Sequence, residues 1–481
     1  MSQRNMILGT AAMAAGNAVR FLLQLLAIPL VARFLGPGSY GVVALASPFF
    51  YFLLLFGDLG LGATLVRAQD PSQRQESSVF WTILSIASTL AIVLAAGAHS
   101  LGRILGQPEI SPILLGFAPI FLVAAIGVVP SARLQRSGRF KTVALIDTLS
   151  ASAGVCVAIF GALSGWGPWA LVAQQWVFWA VKVMSVITAA RFYPILAFDS
   201  SAIRTSLHFG SAIVGSSVAS FVGANLDNVL IGTILGTATL GLYAIAYQIV
   251  NIPSMVLGAA HYSLMPAVSA AHHNGIPIEK IYAGALRPML LIAAPALAGL
   301  AVTADLLIAL FFGESWRETA SLIGLLAPLG IINTVFILNG AVMLGAGRSG
   351  VEFWTTIMRT AAAVTGIIAG LHWGPQGVAC GISAAAAISG FFYMRMVLRI
   401  CRISVHSVLE AAFVPLAASA AMASTIIVAR MVLFDGISAS AGLPLSILLG
   451  AATYLSALFF LSREKFVQDI TTVRNLIANK A

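Results

Sequence analysis

The sequence predicts an all-α polytopic membrane protein of about fourteen transmembrane helices, and three observations predict it. Hydrophobic residues make up 59% of the 481 positions and charged residues only 9%, against roughly 25% charged in an ordinary soluble domain. Apolar runs of roughly twenty residues recur from end to end, each the length a helix needs to cross a ~30 Å hydrocarbon core. The alternating pattern of an outer-membrane barrel is missing, so helices, which satisfy every backbone group internally, must be the spanning elements.

The first span, 10–32, follows Met1 to Asn5 and is too long for a signal-peptide core. Span two, 40–57, runs into Asp58, and Arg67 and Arg74 lie in the connection beyond it. Spans three, 79–98, and four, 112–130, are joined by a segment holding Arg103, and the basic cluster Arg133, Arg136, Arg139, Lys141 follows. Spans five, 143–164, and six, 169–190, flank Trp166-Gly-Pro168, and spans seven, 209–234, and eight, 238–260, flank Leu235-Gly236. Arg317 separates nine, 285–310, from ten, 319–344. Arg348-Ser-Gly350 precedes eleven, 353–371, and Trp373-Gly-Pro375 precedes twelve, 376–397, which leads into Arg395, Arg399 and Arg402. Thirteen, 411–434, and fourteen, 443–461, complete the set. Beyond them Phe466, Ile470, Val473 and Ile477 have the spacing of an amphipathic helix, with Arg463, Lys465, Arg474 and Lys480 around it, which places the tail on the inner membrane surface.

The formal charge of +10 follows the connections rather than a nucleic-acid-binding patch, since no basic stretch interleaves with aromatics. Placing the N-terminus in the cytoplasm puts most Lys and Arg on that side, and an even number of spans puts both termini there. Cys156, Cys380 and Cys401 lie in or beside apolar runs and read as small hydrophobes. None of the five lysines follows a glycine, which excludes a Walker A loop. His272 and His273 read as a solvated loop, and no metal-ligand spacing or cofactor motif appears.

An internal repeat groups the helices. Leu35, Gly36, Gly41, Ala44 and Ala46 recur as Leu235, Gly236, Gly241, Ala244 and Ala246; Arg136-Ser-Gly138 recurs as Arg348-Ser-Gly350; Trp166-Gly-Pro168 recurs as Trp373-Gly-Pro375. Six spans separate the copies, so both have the same orientation and an axis along the membrane normal relates them, as in transporters that rock about a central site. The expected organisation is an N-lobe over 1–200, a C-lobe over 201–400, two further helices over 401–462 and a cytoplasmic amphipathic tail over 463–481.

The landmarks resemble the polysaccharide-transport (Wzx-type) flippases of the multidrug, oligosaccharidyl-lipid and polysaccharide exporter superfamily. The likeness lies in Val31-Ala-Arg-Phe-Leu-Gly-Pro with Tyr40-Gly, and in Asp58-Leu-Gly-Leu-Gly-Ala-Thr-Leu-Val-Arg67. It continues in Arg139-Phe140, Gly167-Pro-Trp-Ala-Leu171, Asn225-Leu-Asp-Asn-Val-Leu-Ile-Gly232, Leu240-Gly-Leu-Tyr-Ala244, Pro253 and Pro266. It implies two six-helix lobes in a V around a central cavity. It also implies a cargo of undecaprenyl-pyrophosphate-linked oligosaccharide, moved from the cytoplasmic to the periplasmic leaflet of a bacterial inner membrane for exopolysaccharide, capsule or O-antigen synthesis. A proton or sodium gradient would drive it, and a polymerase and glycosyltransferases would be its partners.

Such a cargo needs a wet, cationic path, so charged residues inside spans are the candidates. Arg20 lies mid-way along span one with Asn17 and Gln24 on the same helical face, suited to an anionic headgroup or to a buried hydrogen-bond anchor. Lys182 and Arg359 lie nearer span ends, where snorkelling is the alternative, and for Arg430 snorkelling is the expectation. Asp227, beside Asn225 and Asn228, is a candidate for ion coupling or for packing. Tyr243, Tyr247 and Asn251, with Gln248 adjacent, form a stripe suited to sugar faces or to core packing, and Asn333 and Asn339 are weaker cases. Arg67 is a candidate for headgroup entry, although positive-inside loop charge is the favoured account of it. A membrane-embedded polymerase or glycosyltransferase would need a large loop grouping acid and base residues, which the sequence lacks. A small-molecule extruder would favour a smaller, acidic cavity, and a lipid II flippase would differ only in headgroup.

Overall fold

The computed structural model describes residues 3–58, 60–68, 70–196, 221, 225–433 and 437–463. The first part of the expected seventh span and the expected tail beyond 463 lie outside them. The described residues are helical throughout and divide at Gly241 into two compact units.

In the first unit the helices are α1 (Gln3–Asp58), α2 (Leu61–Arg67), α3 (Gln73–Ile104), α4 (Ile110–Phe117), α5 (Ile120–Arg136), α6 (Phe140–Leu163), α7 (Trp169–Ala190) and α8, described over 225–234. Helix α9 (Thr237–His273) passes from the first unit into the second. There it is followed by α10 (Glu279–Phe311), α11 (Arg317–Gly345), α12 (Ser349–Gly370), α13 (Gly374–Ile400), α14 (Val405–Val432) and α15 (Ala439–Leu461). Among the described residues eleven helical stretches are long and apolar enough to cross a membrane. Two of these, Leu22–Phe56 and Ser349–Ile400, run to 35 and 52 residues, beyond the ~20 that one crossing needs. Glycines in conformations closed to other residues break both, Gly36 at φ 73 and Gly374 at φ 69.

Small residues set the packing within each unit. Val31 and Leu35 of α1 meet Ala158 and Ala162 of α6 and Ala170 of α7, and Leu134, Val143, Ile146 and Val186 join α5, α6 and α7. Leu291, Ala418 and Leu458 join α10, α14 and α15. Large apolar side chains such as Leu26, Leu145, Phe391, Met431 and Leu448 point outward, which suits acyl chains and would be unfavourable in water.

Backbone geometry supports the repeat and moves one of its landmarks. Gly36 and Gly236 both have positive φ, as do Gly167 and Gly374. The sequence match of Gly138 with Gly350 does not hold structurally. Gly138 (φ 69) pairs instead with Gly347 (φ 72), and Arg139 and Arg348 are the residues that open α6 and α12. Both turns close with the same bond, Arg139 N–H to Leu134 O at 3.0 Å and Arg348 N–H to Met343 O at 2.9 Å. A left-handed turn needs glycine before the arginine, so the shared Arg-Ser-Gly letters are a coincidence of composition.

The first landmark is a close approach. A Cβ on Gly41 would lie 1.7 Å from Thr237 O, and one on Gly241 would lie 2.1 Å from Pro37 O. Each glycine thus meets the repeat-equivalent of the other's neighbour, a reciprocal crossing that only glycine permits.

Candidate functional site

Helix α7 carries the polar wall of the first unit. Gln174, Gln175, Phe178, Trp179 and Lys182 follow helical spacing on one face, and Val186, one turn beyond Lys182, packs with Leu134, Val143 and Ile146. The opposite side of α7 is pinned by Trp176, whose Nε1–H donates to Gly116 O at 2.9 Å. Gly154 of α6 admits α7 closely, since a Cβ there would meet Gln174 O at 2.9 Å.

Two cavities open along this face and share Trp179. One, of about 220 Å³, is lined by Arg20, Gln24, Tyr51, Gln174, Gln175 and Phe178. The Gln175 amide donates to Tyr51 Oη at 2.8 Å. The other, of about 350 Å³, is walled by small residues including Gly62, Ala63 and Gly127, with Ser131, Gln135 and Lys182 among its polar groups. Arg20, Gln24 and Lys182 therefore lie on cavity walls of one unit, each cavity holding one cation. The side chain of Asn17 lies outside the described residues.

Lys182 Nζ stands 2.8 Å from Asp147 Oδ1 on α6, an ion-pair contact without the alignment of a hydrogen bond. The ammonium also lies 5.7 and 5.6 Å from the ring centres of Phe178 and Trp179, close enough for cation–π attraction. Asp147 escaped the sequence reading, although a carboxylate inside span five meets the same criterion that selected Lys182.

The second unit treats its cation differently. The Arg359 guanidinium stacks 4.2 Å from the ring centre of Phe336 and 5.5 Å from that of Tyr393. The Tyr393 hydroxyl donates to Glu352 Oε2, and Thr356 Oγ1 donates to Glu352 Oε1 at 3.4 Å. Glu352, two helical turns before Arg359 on the same face, was also missed by sequence reasoning. Tyr243 is fully buried and stacks on Tyr247 at 5.8 Å, the packing alternative of the sequence reading. Asn251 accepts from Asn333 Nδ2 at 3.3 Å and donates to Tyr247 O at 2.9 Å. Tyr282 Oη donates to Asn339 Oδ1 at 2.7 Å.

Asp227 Oδ1 accepts the Asn228 backbone N–H at 2.8 Å, and Arg67 is exposed in the last turn of α2. Arg430, expected to snorkel, instead makes a two-pronged pair with Asp305 of α10. Two arginines of the basic cluster are likewise engaged. Glu76, buried on α3, accepts from Arg136 at 2.7 Å and lies 3.8 Å from Arg133.

The family described as "Polysaccharide biosynthesis protein" matches residues 30–321. The chain is 30% identical to the succinoglycan biosynthesis transport protein ExoT of Rhizobium meliloti (strain 1021), covering 73% of this chain and 71% of that one. It is 22% identical to the lipopolysaccharide biosynthesis protein WzxC of Escherichia coli (strain K12), over 72% and 71% of the two chains. The solved structure of the lipid II flippase MurJ in an inward closed conformation superposes with a TM-score of 0.75 over 95% of this chain and 99% of that one, at 15% identity, a likeness of fold.

Proposed function

This chain belongs to the polysaccharide biosynthesis protein family, and we propose that it is a membrane flippase for lipid-linked oligosaccharides rather than an enzyme. From that premise we propose that its cargo is an oligosaccharide repeat unit on undecaprenyl pyrophosphate, carried from the cytoplasmic to the periplasmic leaflet of a bacterial inner membrane. The observation that carries the reading is the pair of half-open cavities along α7, one with Arg20 of α1 on its wall and the other with Lys182. A cation inside a span is costly unless it is paired or borders a polar space. Here the polar space also offers glutamine amides and a tyrosine hydroxyl, donors and acceptors that match sugar hydroxyls. An anionic headgroup supplies the charge these two cations attract.

In this reading both termini are cytoplasmic, in keeping with the basic connections. A proton or sodium gradient drives the cycle, and polymerase and glycosyltransferases are its partners at the two leaflets. The test is reconstitution of the full chain in vesicles carrying undecaprenyl-pyrophosphate-linked oligosaccharide with a labelled glycan. Protein-dependent appearance of inner-leaflet glycan to an external lectin is expected. Unchanged lectin access together with uptake of organic cations would sink the proposal in favour of an extruder.

A further inference from the structure

Counted from the shared turn at Gly167 and Gly374, the α7 positions Gln174, Gln175, Phe178, Trp179 and Lys182 correspond in α13 to Gly381, Ile382, Ala385, Ala386 and Ser389. In the second unit that face serves helix packing. A Cβ on Gly366 of α12 would lie 2.3 Å from Gly381 O, and Ile382, Ala385, Ala386 and Ser389 are buried. The repeat therefore folds with small or apolar residues at these five positions. The two amides, two aromatic rings and ammonium that replace them in the first unit are not part of the shared architecture. Trp179 lies at the centre of this face and is common to both cavities. Lys182 follows it by one turn on the side of the larger cavity, and Gln175 precedes it by one turn on the side of the smaller, each turn being ~5.4 Å. The indole is half-buried, and Lys182 Nζ lies 5.6 Å from its ring centre.

We propose that Trp179 is the platform for the sugar ring that bears the pyrophosphate, and that it makes the site select a glycosylated carrier over a bare one. The inference rests on the cargo proposed above and sets the order of that cargo along α7. An indole is a flat apolar surface with one polar edge. A pyranose complements it, with a face of C–H groups, hydroxyls around the rim and the anomeric oxygen at one end. With the ring on the indole, the anomeric phosphate reaches Lys182 in the larger cavity, and the following sugars extend into the smaller one among Gln24, Gln174 and Gln175. The contact with Asp147 fixes where the ammonium stands, and 24% of the Lys182 side chain remains open. An ammonium has three donors, so phosphate oxygens can be bonded without giving up the carboxylate. Arg20, on the wall of the smaller cavity, adds to the field that draws the headgroup in. Each glutamine amide both donates and accepts, so together they fix which hydroxyl pattern fits. Bare undecaprenyl pyrophosphate makes the Lys182 contact and leaves the indole and the amides unused.

Calorimetric titration of the purified full chain with two probes tests this: bare undecaprenyl pyrophosphate, and undecaprenyl-pyrophosphate-linked oligosaccharide extracted from the source cells. The wild type should bind the glycosylated probe about tenfold more tightly, the sum of one ring contact and the amide hydrogen bonds. Trp179→Leu should erase the preference, lowering the glycosylated probe to the affinity of the bare one, and Trp179→Phe, which keeps a smaller ring, should retain part of it. Lys182→Gln should weaken both probes and keep the preference. Saturation-transfer NMR on the wild type provides a readout that does not depend on a variant folding. Irradiation of the aromatic protons should transfer most strongly to the C–H protons of the sugar next to the phosphate. A wild type without preference, a preference undiminished in both Trp179 variants, an equal loss for both probes as expected if Trp179 only holds the ammonium, or strongest transfer to the far sugars would overturn the platform and leave the cargo assignment standing. A wild type that binds neither probe would overturn the cargo assignment beneath it.

Discussion

Arg20 and Arg359 are both arginines inside apolar spans, yet their surroundings give them different work. Arg20 borders a cavity, so Arg20→Ala should abolish polymer export while membrane insertion and thermal stability stay at wild-type levels. Complementation of an export-deficient strain beside a melting curve checks this. Arg359 is spent internally on Phe336 and Tyr393, with Glu352 attached to the same tyrosine. Cation–π contacts in desolvated surroundings are worth about 2 kcal/mol or more. Arg359→Ala should therefore lower the melting temperature measurably, and Arg359→Lys should restore it only in part because an ammonium does not stack as a guanidinium does. Asp147 and Glu352 show the limit of reading one residue at a time. Each is an ordinary carboxylate in sequence, and its meaning comes from a cation or hydroxyl on another helix.

Among the elements, the sharpest constraint is the reciprocal glycine crossing. Gly41→Ala places a methyl 1.7 Å from a backbone carbonyl, a clash no rotamer change relieves. Overpacking typically costs 1–3 kcal/mol, and this case should reach about 3 or exceed it, seen as loss of folded, monodisperse protein on size-exclusion chromatography. Gly38→Ala is the control, since nothing lies within 4 Å of a Cβ there, and in a helix the change is worth up to about 1 kcal/mol in favour of alanine. Charged pairs act at this scale too. Glu76→Gln leaves Arg136 and Arg133 without their buried carboxylate. Breaking a buried pair costs ~3–5 kcal/mol; because Arg136 and Arg133 are 22% and 40% exposed, about 3 or less is expected here, measured as a fall in thermal stability. The Arg430–Asp305 pair ties α14 to α10, so the terminal helices are fastened by charge as well as by the apolar cluster around Leu291 and Leu458.

For the whole molecule, the testable quantity is topology. The proposed topology, with both termini cytoplasmic, puts Glu314 on the periplasmic side and His273 on the cytoplasmic side, and both are exposed. In a background without the three native cysteines, Glu314→Cys should react with a membrane-impermeant maleimide added to intact cells, and His273→Cys should react only after permeabilisation. The reverse pattern would invert the direction of transport proposed for the cargo. The positive-inside bias behind this expectation also meets a second demand, because some of the same arginines hold helix ends together. Arg133 donates to Ala190 O and Arg191 O, and Arg139 donates to Ala189 O.

Much of this was present in the chain before folding. Hydropathy period and run length determine a helical membrane protein, because a backbone in lipid must bond within itself. The ordered landmarks determine a repeat, and three of the cavity residues, Arg20, Gln24 and Lys182, followed from the cost of polarity inside a span. Tertiary structure alone decided the partners. It set Asp147 beside Lys182, gave Glu352 to Tyr393, turned Tyr243 into the core and moved the second landmark from Gly350 to Gly347. The physical reason is common to all four: burial and pairing are distances between helices, and a turn is recognised by the sign of φ, neither of which is written in the order of residues.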